Sequence, residues 1–290
     1  IYYSMFGFQR IGDQIWLAGD MQTKGFLCGG TAGRTTLNGE GLQHQDGHSL
    51  LLASTVPNLL TYDAAFAYEL AVIIQDGLYR MYQKNENIFY YLTLENENYE
   101  MPPMPKGVED GILKGLYRFE KGSKAKEKVH LIGSGTIIRE AIRAKSILEK
   151  VYKLSVDIWS ATNYKLLRTD ALACQRWNML HPEKTPKKSY LEKTLEKESG
   201  TFVAVSDYMK IIPDQIAPWV PGGLMTLGTD GFGRSESREN LRRFFEVDAE
   251  MIVIATLYQL MKKGKLKKDV ISKAIKKLKV NPGKVYPHCV

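Results

Sequence analysis

Residues 129–152 read VHLIGSGTIIREAIRAKSILEKVY, and this segment is the strongest indication of the fold class. The run 129–132 predicts a buried strand, and apolar residues at helical spacing predict a helix from Ile137 to Tyr152. The glycines of Gly133-Ser134-Gly135 allow a tight turn between the two elements. A strand that passes directly into a helix is half of the repeating unit of a parallel sheet, so the segment indicates an α/β fold.

The rest of the chain repeats this alternation. Strands are predicted at 26–28, 50–60 (with its exit turn), 88–94, 155–160, 201–205 and 224–227. Helices are predicted at 8–18, from an N-cap at Asp63 to Met81, and at 238–244, 249–263 and 269–278. Strands that alternate with helices favour mostly parallel sheets covered on both faces.

One proline-rich segment interrupts the alternation. Pro102, Pro103 and Pro105 lie within 101–107, and such a segment predicts an extended linker. A chain of 290 residues is longer than one average domain. We therefore predict two domains, 1–105 and 106–290.

The composition is that of a globular chain and excludes several other classes. Hydrophobic residues make up 44% and charged residues 25%, which are ordinary globular values. No apolar run is long enough to predict a transmembrane helix. The three cysteines, Cys28, Cys174 and Cys289, are too far apart in sequence to predict a disulfide framework or a zinc site. We expect a reducing, cytoplasmic setting.

The net charge of +8 comes largely from lysines between 262 and 279. Such a patch can bind nucleic acid or an acidic partner. The solvated face of a C-terminal helix explains it equally, with Val270, Ile271 and Ile275 pointing inward. No aromatic residues interleave with the lysines, as a binder of single strands requires. We favour the solvated helix and expect no nucleic-acid partner and no membrane partner.

The densest polar cluster lies in a glycine-rich loop between 29 and 48. Its residues 39–48 read GEGLQHQDGH. Glu40 and His44 can act as acid, base or hydrogen-bond donor, and His44 with His48 is a conceivable pair of metal ligands. A hydrogen-bonded structural loop explains the same residues, and spacing alone does not choose between these interpretations.

Several segments, in the same order, resemble the homodimeric pyruvate dehydrogenases, the decarboxylating first components of pyruvate dehydrogenase complexes. They are IYYSMFGFQRIGD (1–13), GRTTLNGEGLQHQDGH (33–48), ENYEMP (97–102), RWNMLHP (176–182), LGTDGFGRS (227–235) and RENL (238–241). Residues 39–45 are also similar to the GEDGPTHQ motif of transketolases. The resemblance therefore covers essentially the whole chain and extends to the transketolase superfamily.

This resemblance implies two three-layer transketolase-like domains, part of a pyrimidine-binding domain followed by a C-terminal domain. It implies thiamine diphosphate and Mg²⁺ as cofactors. In the family, the metal and diphosphate ligands and the activating glutamate lie upstream of the region that this chain resembles. We therefore expect no metal ligands here, and a C-terminal portion that is inactive alone.

The resemblance also assigns residues and partners. His44 matches the histidine that reaches the reacting centre, and Glu40 matches a nearby active-centre carboxylate. Tyr3 and Phe6 match the aromatic contacts to the pyrimidine ring. The implied reaction is oxidative decarboxylation of pyruvate by a homodimer, with acetylation of the lipoyl group of the dihydrolipoyl acetyltransferase component.

Two alternatives remain at this point. The first is a related 2-oxo acid dehydrogenase or another transketolase-superfamily enzyme, because substrate-proximal residues of the family lie outside the resembling segments. A non-catalytic binding module is the other alternative, and the lysine run favours it slightly.

Overall fold

A computed structural model describes all residues from Ile1 to Val290, which form two α/β halves with one sheet each. The first half contains β1 (Tyr2–Tyr3), α1 (Ser4–Asp20), β2 (Phe26–Gly30), α2 (Ser49–Ala53), β3 (Leu59–Tyr62), α3 (Ala67–Leu78) and β4 (Phe89–Leu94). A single π-helical turn, Tyr79–Gln83, continues α3. The segment from Glu95 to Val108 has neither helix nor strand and leads into the second half.

The second half is larger. Its strands are β5 (Tyr117–Glu120), β6 (Lys128–Gly133), β7 (Ser155–Ser160), β8 (Thr201–Val205) and β9 (Leu224–Leu227). Its helices are α4 (Glu109–Lys114), α5 (Ile138–Tyr152), α6 (Tyr164–Leu180), α7 (Tyr190–Leu195), α8 (Ile211–Asp214), α9 (Arg238–Phe244), α10 (Ala249–Lys262) and α11 (Lys268–Lys277).

Both sheets are mostly parallel, as the sequence predicts. The first has the strand order β1-β2-β4-β3, and every pairing in it is parallel. The second has the order β5-β7-β6-β8-β9, in which only β5 is antiparallel. At its centre Leu131 pairs with both Ile158 and Val203. The predicted strand–turn–helix unit of 129–152 is confirmed.

Two local predictions are wrong. Residues 50–60 do not form a strand, because Ser49–Ala53 is helical and the strand begins at Leu59. Asp46 caps this short helix by accepting from the backbone N–H of Ser49 at 2.9 Å, which a strand would not allow. Asp63 is not an N-cap, since the helix begins at Ala67 and Glu69 accepts from the backbone N–H groups that precede it.

One hydrophobic core joins the two halves. The largest cluster of buried side chains combines Tyr62 and Tyr91 of the first sheet with Ile132, Trp159 and Tyr208 of the second half. A second cluster fills the opposite face of the second sheet, under α5 and α10. The second sheet is therefore a middle layer with side chains packed on both faces. The division at 105/106 stays a prediction.

The lysine-rich C-terminal segment is largely exposed. Within α11 only Ala274 is buried, and Lys273 forms an ion pair with Asp269 in the next turn. Lys265 lies 3.4 Å from Glu127. These contacts fit the solvated helix face that we favoured, while the expectation of no nucleic-acid partner stays a prediction. None of the helices is both long and apolar enough to span a membrane.

Glu97 ties the connecting segment to the second half. Its carboxylate hydrogen-bonds Arg139 at 2.8 Å and also Arg242, and it lies 3.9 Å from Arg238. Burial alone would raise the pKa of Glu97, but the hydrogen bond and charge of Arg242 outweigh burial and hold that pKa below its ordinary value. The carboxylate is therefore ionised and neutralises arginines that are themselves partly buried.

We expect Glu97→Ala to lower the free energy of unfolding by about 3 kcal/mol, because removing one partner leaves the buried Arg242 guanidinium poorly compensated. Urea denaturation of the variant measures this loss. Glu100→Ala, which removes an exposed carboxylate three residues along, is the matched control and should cost less than about 0.5 kcal/mol. Equal losses for the two variants would contradict the account.

Candidate functional site

Polar residues collect where the parallel strands of both sheets end. The loop 31–48 leaves the carboxyl end of β2, Asp63 follows β3, and Glu95 follows β4. From the second half, Ser134 follows β6, and Asp207 comes two residues after β8. In open α/β sheets, ligands bind at the carboxyl ends of strands. The candidate site therefore lies among these loops.

The structure brings together the four residues singled out from the sequence. The His44 ring lies edge-on to Phe6, with centroids 4.9 Å apart, and to Tyr3, at 5.8 Å. Its Nδ1 atom lies 3.6 Å from a carboxylate oxygen of Glu40, too far for a hydrogen bond. Tyr3 is 48% exposed. The group is thus an aromatic wall with an imidazole and a carboxylate beside it.

Local packing directs Tyr3 outward and Tyr2 inward. The two residues form β1, which pairs in parallel with Gly29 and Gly30, and successive side chains of a strand point to opposite faces. The Tyr2 ring stacks on Tyr91 at 6.3 Å. A Cβ at Gly7 would lie 1.8 Å from the Tyr2 ring, so only glycine fits beside that ring. Because Tyr2 points inward, Tyr3 points to the opposite face, toward the loop that carries His44.

Glycines shape that loop. Gly39 and Gly41 have φ values of +79° and +80°, the left-handed region that favours glycine. The turn is closed by the backbone N–H of Gln45, which donates to the Gly41 carbonyl at 3.3 Å. His44 and His48 share no third metal-ligating residue. The structure thus gives no support to the alternative that these two histidines bind a metal.

A buried polar centre lies behind the loop, between the two halves. Asp207 accepts hydrogen bonds from the backbone N–H and hydroxyl groups of both Thr35 and Thr36, at 2.6 to 3.1 Å. The Thr36 hydroxyl also lies 2.6 Å from that of Thr136. A Cβ on Gly33 would lie 2.4 Å from the Asp207 carboxylate. Asp207 therefore fixes the start of the loop to the second half.

Two further acids meet at Gly135. Thr93 donates to Asp63 at 2.7 Å, and the backbone N–H of Thr136 donates to Glu95 at 2.9 Å. The other oxygen of each carboxyl group is buried without a hydrogen-bond partner. Burial raises the pKa of Asp63 to about 6. Burial, then the charges of Asp63 and Asp207, raise the pKa of Glu95 well above its ordinary value.

We expect Asp63→Asn to flatten the pH dependence of stability between pH 4 and 7. The pKa of Asp63 is about 6 when folded and about 4 when unfolded, so the folded state holds the proton more tightly. Stability should therefore fall by about 2 kcal/mol as pH rises through this window, and asparagine has no such proton.

Urea denaturation at pH 4.5 and 7.5 measures this difference. Asp13→Asn, at an exposed position of α1, is the control, and its free energy of unfolding should depend on pH as in the wild type. If Asp63→Asn also keeps the wild-type pH dependence, Asp63 is not the group responsible for it.

Asp207 and Glu95 were not predicted as site residues, and the prediction of Asp63 as a helix cap was wrong. Glu95 directly follows a predicted buried strand and Asp207 comes two residues after another, where parallel strands present polar residues together. In the structure Asp63 likewise follows β3 directly. That position outweighs the helix-cap propensity on which the interpretation of Asp63 rested.

One group elsewhere has the composition of a metal site. The ligand atoms of His130, Asp157 and Glu198 lie within 4.8 Å of one another. Both ring nitrogens of His130 are engaged, since the Trp159 indole donates to Nδ1 at 3.2 Å and Nε2 lies 3.1 Å from the Ser199 carbonyl. His130 is therefore a buried core histidine whose two ring nitrogens both have partners.

The carboxylates of this group are also neutralised. Lys128 lies 3.3 Å from Asp157 and 2.6 Å from Glu198, and Arg118 pairs with both. Two cations already balance two anions, so an added metal ion would have to displace them. We interpret the group as a structural ion-pair network.

Comparison with known proteins establishes the family. The family model for the pyruvate dehydrogenase E1 component middle domain matches residues 1–102, and that for the transketolase-like TK C-terminal domain matches 115–248. A pyruvate dehydrogenase E1 component from Pseudomonas aeruginosa is 53% identical over 99% of this chain. The chain belongs to the pyruvate dehydrogenase E1 component family.

Other E1 components give the same result. The one from Escherichia coli K12 is 53% identical over 99% of this chain and 32% of its own length. The one from Cupriavidus necator is 50% identical over 100% of this chain and 33% of its own length. The P. aeruginosa relative is likewise covered over 33% of its length. This chain therefore spans about a third of the E1 components it matches.

Solved structures confirm the transketolase-like fold. Transketolase from Leishmania mexicana has a TM-score of 0.68 at 17% identity, covering 90% of this chain and 34% of that one. A chain described as a split gene transketolase, inactive β4 tetramer, has a TM-score of 0.61 at 13% identity, covering 90% of this chain and 75% of that one. At these identities the likeness concerns the fold alone.

Proposed function

We propose that this chain is part of a thiamine-diphosphate-dependent pyruvate dehydrogenase. The reaction is oxidative decarboxylation of pyruvate with acetylation of a lipoyl group on an acyltransferase component. The observation that carries the proposal is the grouping of Tyr3, Phe6, Glu40 and His44 beside the carboxyl end of the first sheet. The names of the E1 relatives support the same activity.

Tyr3 and Phe6 would hold the pyrimidine ring of the cofactor. Their rings lie 6.0 Å apart and Tyr3 is half-exposed, so a flat apolar surface is available next to His44. Flat aromatic surfaces suit a flat heterocycle. When bound, thiamine diphosphate supplies the carbanion and electron sink that decarboxylation of a 2-oxo acid requires.

His44 is suited to donate to the substrate. The rings of Phe6 and Tyr3 pack against the imidazole. Its Nδ1 faces Glu40, which leaves Nε2 as the nitrogen that would donate. A preorganised donor of this kind stabilises charge that develops on a substrate oxygen or carboxylate. Glu40, 3.6 Å from Nδ1, would orient the ring and hold a proton near it.

The rest of the proposed site lies outside this chain. No free cluster of carboxylates here fits Mg²⁺ bound to a diphosphate, since the one candidate triad is neutralised by Lys128 and Arg118. We place the metal and diphosphate ligands in the parts of E1 components that this chain does not span. A homodimer, a lipoyl-bearing dihydrolipoyl acetyltransferase partner and a cytoplasmic location complete the proposal; all three cysteines are free, as in reducing compartments.

The test uses a full-length E1 component that includes these 290 residues. We expect it to release carbon dioxide from pyruvate, dependent on thiamine diphosphate and Mg²⁺, and to acetylate an isolated lipoyl domain. Parallel assays with 2-oxobutanoate and 2-oxoglutarate measure the acyl preference. A strong preference for 2-oxobutanoate or 2-oxoglutarate would mean that the substrate is that acid and not pyruvate. Absence of turnover with all three acids would overturn the proposal.

A further inference from the structure

The loop that carries Glu40 and His44 is held by a loop of the second half. This β9–α9 loop comprises Gly228–Ser237. The backbone N–H of Gly39 donates to the Glu236 carbonyl at 3.1 Å, and the Ser235 hydroxyl donates to the Gly39 carbonyl at 2.5 Å. The two loops are therefore joined at Gly39, immediately before Glu40.

Gln45 joins the same loops on the other side of His44. Its side chain is fully buried. Its amide nitrogen donates to the Leu37 carbonyl at 2.6 Å, and its amide oxygen accepts from the backbone N–H of Arg234 at 2.7 Å. One side chain thus closes the His44 loop upon itself and ties it to the β9–α9 loop.

Gly233 makes this close approach sterically possible. A Cβ at this position would lie 2.8 Å from the Gln45 amide oxygen and 2.9 Å from the Gly41 carbonyl oxygen. Both distances are shorter than real Cβ contacts. Any larger residue would push the two loops apart, so the absence of a side chain at Gly233 is part of the same arrangement.

These contacts lie outside the hydrophobic cores. Neither the segment 38–48 nor the β9–α9 loop contributes a residue to the two buried clusters. The His44 and Glu40 side chains lie 3.6 Å from each other, and His44 also packs against Tyr3 and Phe6. Both side chains project from the backbone that Gln45 and Ser235 hold, so a displacement of that backbone would move them away from these contacts.

We infer that Gln45 and the β9–α9 loop are positioning elements that hold Glu40 and His44 at the reacting centre. This inference rests on the proposed function. It gives the second half a role in catalysis although none of the four proposed site residues lies in that half. Gln45 acts through the loop backbone, so it governs turnover and not cofactor binding.

The first experiment uses the 290-residue chain and needs no activity. Amide hydrogen exchange is measured for wild type, Gln45→Ala and Ser235→Ala. We expect the Gly39, His44 and Gln45 amides to exchange at least about tenfold faster in both variants, with β6 and α10 unchanged. Ser272→Ala, on the exposed side of α11, is the matched control and should change none of these amides.

Unchanged exchange in the loop would overturn the inference. So would equal acceleration in the loop, β6 and α10, because Gln45 would then only support the fold. If Gln45→Ala fails to fold, Ser235→Ala provides the test, because it removes only one hydroxyl group from an exposed residue. Ser235→Thr keeps a hydroxyl group and should restore slow exchange of the loop amides.

The second experiment uses the full-length E1 component. We expect Gln45→Ala and Ser235→Ala to lower kcat by about tenfold, with KM for pyruvate and affinity for thiamine diphosphate within about twofold, and Ser235→Thr to recover kcat. If His44→Ala slows turnover and these variants do not, the inference fails. If His44→Ala leaves turnover unchanged while the loop amides respond as expected, the proposed role of His44 fails and the loop contacts stand.

Discussion

In a full-length E1 component that includes this chain, His44→Ala is expected to lower kcat by about 10² to 10³ while leaving the affinity for thiamine diphosphate nearly unchanged. Loss of one preorganised donor to developing charge has an effect of this size. Nε2, the imidazole nitrogen that does not face Glu40, is the group that would provide this hydrogen bond. Steady-state decarboxylation, titrated with cofactor, measures both quantities.

Tyr3→Ala and Phe6→Ala should behave in the opposite way. We propose that they contact the cofactor ring in every state of the reaction, so their loss should weaken cofactor binding first and lower kcat at saturating cofactor much less. His288→Ala, at an exposed position near the C-terminus, is the control for removal of a histidine. Near-normal turnover of His44→Ala at saturating cofactor would mean that His44 is not catalytic and that the loop 39–48 has only a structural role.

The 290-residue chain on its own is expected to release no measurable carbon dioxide from pyruvate. On our proposal it contributes only the contacts of Tyr3 and Phe6 to the pyrimidine ring, and its one candidate metal-ligand triad is neutralised by Lys128 and Arg118. Such contacts supply only part of a cofactor's binding energy, and a weakly held cofactor is not oriented for reaction. The assay uses saturating thiamine diphosphate and Mg²⁺.

A full-length E1 component under the same conditions is the positive control. Circular dichroism and hydrogen exchange of β6 show whether the isolated chain is folded when assayed. Turnover of the folded chain at the full-length rate would mean that it contains a complete site, and our placement of the diphosphate and metal ligands would be wrong.

The sequence predicts the elements whose signals are local. The unit 129–152 is correct because its strand, glycine turn and helix each have a distinct pattern. Residues 50–60 were predicted as a strand because a short apolar run fits a strand or a buried helix equally well. In the structure Asp46 accepts from the backbone N–H of Ser49, at the start of the short helix that forms there. The long helix α6 and the antiparallel strand β5 were not predicted.

The candidate site was accessible from sequence only through the family resemblance. Tyr3 and His44 are about forty residues apart, and no pattern in the chain alone places them together. Gln45 and Arg234 are 189 residues apart, so their contact follows from the way the two halves dock on one core. Polar residues at strand ends give a partial signal, which explains why Asp207 and Glu95 could have been found and Gln45 could not.

The most direct test is a structure of the full-length E1 component with thiamine diphosphate and a phosphonate analogue of pyruvate bound. The account predicts the rings of Tyr3 and Phe6 in contact with the pyrimidine ring, and a ring nitrogen of His44 within about 3.2 Å of an oxygen of the analogue. A cofactor bound against other residues, with His44 remote from the analogue, would contradict it.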